Sequence, residues 1–142
     1  MSGVRVYLPL TSDQVHDLAT HGRLAARPVV AFAVTSRLRA QQPGEDDEAL
    51  EYAALLAAAA WSDGIRGSKK LRRVIAAGDL PAAVVTEAGV TAARGAAEVT
   101  IAEPVTLRQL VSFHVDENPR PEADLMWYDV TEVTAVLALV SA

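Results

Sequence analysis

His114-x-Asp116 sets an imidazole and a carboxylate two residues apart, a spacing that puts both on one face of a strand. Such a pair can hold a hard or borderline metal ion, or the carboxylate can orient the imidazole as a base. Glu117 follows directly, but no H-E-x-x-H run or other chelating spacing accompanies the pair. The plainer reading is a polar pair on a solvated sheet face. Asp79, Glu103, Asp116 and Asp129 each fall near the C-terminal end of an expected strand. In a parallel sheet those ends converge on the edge where ligands bind, and carboxylates gathered there would suit a divalent ion or a cationic ligand. As turn residues they need no such role.

The segment Gly64-Ile65-Arg66-Gly67-Ser68-Lys69-Lys70-Leu71-Arg72-Arg73 is the basic cluster of an otherwise acidic chain. Its G-x-x-G is the kind of loop that clamps a nucleic-acid backbone between two helices. The phosphate-loop spacing fails, and an expected helix precedes the cluster where a strand would be needed. Cations after a helix C-terminus are favourable in any case. With a net charge of −5, the chain disfavours polyanions. Zero cysteines exclude disulfides, thiol catalysis and thiolate metal sites, and fit a reducing cytoplasm. Nothing resembles a nucleophile elbow or a GxGxxG fingerprint. No cofactor and no metal is expected.

The elements that must position these residues follow a repeated order: an apolar run, a threonine, then helix-forming residues. Thr11, Thr35, Thr106 and Thr131 each stand where an N-cap belongs. Thr11-Ser12-Asp13-Gln14 and Thr106-Leu107-Arg108-Gln109 also fit the capping-box spacing. Val4 to Leu10 alternates, with Arg5, Tyr7 and Pro9 opposite the aliphatic side chains. A helix over about Ser12 to His21 stops at Gly22. Val29 to Val34 is apolar on both faces and reads as a central strand, parallel to the first across a helical crossover.

A short helix covers Ser36 to Gln42. The long helix runs from Asp46 to Ser62, with Glu45 to Glu48 placing negative charge where the macrodipole favours it. Leu71 to Ala77 is an expected strand, and Leu80 to Gly95 a loop with at most one short strand. Glu98 to Ala102, Leu110 to Asp116 and Leu125 to Val130 complete the strands, and Thr131 to Val140 is the last helix. In Leu110 to Asp116, Val111, Phe113 and Val115 oppose Ser112, His114 and Asp116. His16 and His21 fall on different helix faces as surface residues. The alternation implies helices on one face only, leaving Arg5, Tyr7, Thr100, Ser112 and His114 on a less covered face.

The runs V-R-V-Y-L-P-L-T, A-F-A-V-T, E-Y-A-A-L-L-A-A-A, A-E-P-V, H-V-D and W-Y-D-V-T-E together resemble a small family of unknown function from high-GC Gram-positive bacteria. The resemblance spans nearly the whole chain, least so around Pro81 to Gly95, and implies no chemistry. The expectation is one α/β domain over residues 1–142, a two-layer α/β sandwich with a mixed sheet of about five strands, α+β being the alternative. No apolar stretch approaches the ~20 residues of a membrane span, so a cytoplasmic protein is expected. Its expected function is non-catalytic binding, as a homodimer or with a cytosolic protein partner. The alternatives are a small metal- or carboxylate-dependent hydrolase using Asp79, His114, Asp116 and Asp129, and a nucleic-acid adaptor. Candidate binding residues are Arg5, Tyr7, His114, Asp116 and Asp129; no residue is assigned to catalysis.

Overall fold

The computed structural model describes residues 3–24, 30–65, 71–88, 94–120 and 123–141. In chain order the elements are β1 (Gly3–Pro9), α1 (Ser12–His21), β2 (Ala31–Ala33), α2 (Ser36–Gln41), α3 (Asp47–Ile65), β3 (Val74–Pro81) and β4 (Val85–Glu87). They continue with β5 (Glu98–Ile101), β6 (Leu110–Asp116), β7 (Leu125–Asp129) and α4 (Val133–Val140). The strands form one seven-stranded sheet in the order β4-β5-β2-β1-β3-β6-β7, and every pairing is antiparallel. The fold is therefore α+β, and an estimate of about five strands is too low.

The expected parallel pairing of the first two strands is overturned, because β1 and β2 run antiparallel with Val6 opposite Ala33. Residues 10–30 form a connection long enough to go out along α1 and return, so its length left the direction open. The third strand also differs, starting at Val74 and passing through Gly78 to Pro81.

Helices cover both faces, which replaces the two-layer picture. Val6 and Leu8 of β1 pack with Val15 and Leu18 of α1 and with Val133, Val136 and Val140 of α4. Tyr7 points the other way and joins Phe32, Ile75 and Ala77 beneath α3, where Leu50, Ala54, Ala58 and Ala59 are buried. The continuous apolar runs of β2 and β3 are the mark of strands covered twice. Small residues on α3 let its axis approach the sheet closely. Beyond β3 the second face opens: α3 packs on β1, β2 and β3, while on that side Trp127 of β7 is 60% exposed.

Three of the four threonines cap a helical turn. Thr11 accepts from the Gln14 N–H, and the Gln14 Oε1 accepts from the Thr11 N–H at 2.9 Å, a complete capping box. Gly22 closes α1 with φ at 70°, a left-handed position that glycine adopts without Cβ strain. Thr35 accepts from the Leu38 N–H while its hydroxyl donates to the Ala96 carbonyl, which ties α2 to the turn before β5. Thr106 caps a 3-10 turn over Leu107–Gln109. Thr131 adjoins Glu132, the N-cap of α4, and sits inside a 3-10 turn over Val130–Glu132 whose cap Asp129 accepts from the N–H and the hydroxyl of Thr131. Asp46 serves α3 in the same way, accepting from Ala49 N–H at 2.8 Å. Thr11→Ala should lower unfolding free energy by about 0.5–2 kcal/mol with the fold retained, as measured by urea denaturation.

Candidate functional site

Where the sheet runs out from under α3, a groove forms between that helix and β6–β7. One wall is helical: Glu48, Glu51, Tyr52 and Leu55 stand at spacings of three, four and seven from the first, so they share one face of α3. Arg5, Tyr7 and Ala77 form the floor, and Val111, Ser112, His114 and Trp127 the opposite wall, around a cleft of about 270 Å³. A second cleft of about 460 Å³ continues past Tyr52, Leu55 and His114 to Leu56, Arg73, Asp124 and Leu125.

Val111 reaches this groove through an irregularity. Ala77 opposes Ser112 but Gly78 opposes Leu110, so Val111 is an extra residue in β6. Such a bulge re-aims a side chain. Val111 accordingly leaves the buried face of Phe113 and Val115, where strict alternation had put it, and is 37% exposed. Gly78 makes the bulge possible, since a Cβ there would lie 2.6 Å from the Gln109 carbonyl oxygen.

Electrostatics at the floor are largely self-contained. Arg5 grips Asp79 with two bonds, Nε to Oδ1 at 2.7 Å and Nη2 to Oδ2 at 3.1 Å. That contact raises the guanidinium's pKa and holds the Asp79 carboxyl below its usual range. His114 lies with its Nε2 3.3 Å from Ser112 Oγ. Burial, and then the nearby Arg5 charge, push the imidazole's pKa down and favour its neutral form. Burial and the charge of Glu51 push the Tyr7 phenol up.

Of the candidate binding residues, Arg5, Tyr7 and His114 line the same cleft. Asp116 and Asp129 do not join them. Asp116 is enclosed with Arg73, whose backbone N–H reaches Oδ2 at 2.7 Å and whose Nη2 reaches Oδ1 at 2.8 Å. Asp129 is spent on the cap described above, and Thr131 lowers its pKa. The hydrolase set is thereby dispersed, with Asp79 on Arg5, Asp116 on Arg73 and Asp129 on Thr131. Among the described residues no group of three histidines and carboxylates could hold a metal ion. Ser112 and His114 suggest a nucleophile and base, but Ser112 is only 3% exposed. Thr100 points to the same sheet face from β5, with the central strands between it and the cleft.

Of the basic cluster, residues 66–70 lie outside the described residues. Arg72 donates to the Leu139 carbonyl at 3.2 Å and Arg73 holds Asp116, so both are used internally. Glu51 and Trp127 carry no signal of a site in the sequence pattern, and Glu48 stands out there only within the acidic run Glu45 to Glu48, which the helix dipole accounts for. The i, i+3, i+4 spacing on α3 was visible, but its direction toward β7 was not.

An antiparallel α+β domain with a groove at the open part of its sheet is the class that fold and site define. By sequence, the chain matches a family of unknown function, DUF6912, over residues 4–123, and it belongs to that family. No curated protein and no solved structure matches it. No helix among the described residues is long and apolar enough to cross a membrane.

Proposed function

We propose that this chain is a non-catalytic binding module that docks a segment of a protein partner in the groove between α3 and β6–β7. One observation carries the reading. Tyr52, Leu56, Val111, Met126 and Trp127 are the exposed large hydrophobic side chains among the described residues, and all but Met126 line this groove. Single exposed apolar residues are ordinary; several gathered along one concavity mark a contact surface. Aromatic side chains with polar tips are also favoured at interfaces. Placing a photocrosslinking phenylalanine at Trp127, and as a control at Arg39 on α2, tests this in the native cell. The expected result is a discrete protein adduct at position 127 alone, lost when Leu56→Ser is added. Equal labelling at both positions would count against docking here. Esterase turnover abolished by His114→Ala would favour the hydrolase instead.

A further inference from the structure

We infer that the groove selects a basic partner segment and seats an arginine or lysine side chain between Glu48, Glu51, Tyr52 and Trp127. The inference rests on the docking reading and names the chemistry of the occupant. Charge balance chooses it. Both cations in the groove are already matched, Arg5 by Asp79 and Arg73 by Asp116. Glu48, Glu51 and Asp124 have no ion-pair partner among the described residues. Glu51 feels Arg5 through space, but Arg5 is already paired with Asp79, so among the described residues the wall along α3 and the mouth near β7 carry a net negative charge.

Apolar surface and negative charge in the same cleft suit a side chain with an aliphatic stem and a cationic head. Tyr52 and Trp127, 61% and 60% exposed, line the cleft from opposite walls. A guanidinium or ammonium over the face of such a ring is attracted by its quadrupole, and a nearby carboxylate adds Coulomb attraction. Val111 and Leu55 bound the cleft as apolar contacts for the stem. An acidic segment would meet like charge along α3, and a wholly apolar one would leave Glu51 desolvated without a partner.

A phage-displayed random peptide library panned on the intact protein tests this, with affinities of enriched peptides measured by fluorescence anisotropy. The expected peptides carry arginine or lysine beside an apolar residue, and they bind more weakly as salt rises. Glu48→Gln with Glu51→Gln should weaken them about tenfold or more. Citrulline in place of the peptide's arginine should do the same on the unaltered protein, which keeps the test independent of how the variant folds. Neutral or acidic peptides that need Trp127 but ignore both glutamates would overturn the cation and leave the docking reading standing. If no enriched peptide depends on Trp127, both fail. A homodimer dissolved by Trp127→Ser would identify a second copy as the occupant and likewise overturn the basic segment.

Discussion

Asp116→Ala should destabilise the protein by about 3–5 kcal/mol, because it strands a largely buried guanidinium. The Asp116 side chain is fully enclosed and that of Arg73 is 17% exposed. Three donors converge on the carboxylate: the Arg73 backbone N–H, its Nε and its Nη2. A further bond, from Nη2 to the Ala123 carbonyl at 3.3 Å, ties the segment before β7 to the same side chain. Truncation removes the counter-charge and leaves the backbone N–H facing a void. Asp116→Asn keeps an acceptor for that N–H and should cost less. Urea unfolding of the two variants beside wild type measures the difference. A loss under about 1 kcal/mol would class the pair with exposed ion pairs, which contribute little.

Phe32→Ala should have a comparable effect, about 3–5 kcal/mol, through the cavity left under α3. Phe32 is 1% exposed and shares its cluster with Leu50, Ala54, Ala58, Ile75 and Ala77. Alanines on α3 cannot reach into the gap, so the helix must settle on the sheet or leave a void. β2 is three residues long and has little other side-chain area to hold it between β1 and β5. The lost burial should therefore appear both in the unfolding midpoint and as faster amide exchange in β2 and β5. A cost under about 1 kcal/mol, typical of surface substitutions, would mean that α3 closes the gap.

Local signals were legible in the sequence where the physics is local. The capping box of Thr11 and Gln14 and the stop at Gly22 define α1 because the partners lie within four residues. Alternation in β1 separated Arg5 and Tyr7 from Val6 and Leu8 for the same reason. Strand direction was not legible, since Val29 to Val34 has the same apolar pattern in either orientation. The bulge at Val111 was hidden because it depends on Gly78, some thirty residues earlier and across a strand boundary. Likewise the sheet side of the groove could be read from period two, whereas its helical wall depends on how α3 is rotated by packing. The acidic start of α3 had a sufficient local explanation in the helix dipole, which concealed the outward role proposed for Glu48 and Glu51.

The strand order carries a consequence for how the chain reaches its native state. β1 sits at the middle of the sheet, and its longest pairing is with β3, where Gly3 meets Pro81 and Pro9 meets Ile75. On the ribosome, the first strand must therefore wait for more than half the chain before its ladder can close. Loop closure on that scale is entropically costly before any contact repays it, and all-antiparallel sheets with distant pairings fold on the slow side of the range for their size. α1, with its self-contained cap and stop, is the piece able to persist during that wait. Until β3 arrives, β1 has only the three-residue β2 to pair with, and its other edge stays open, an apolar strand edge that a chaperone could cover.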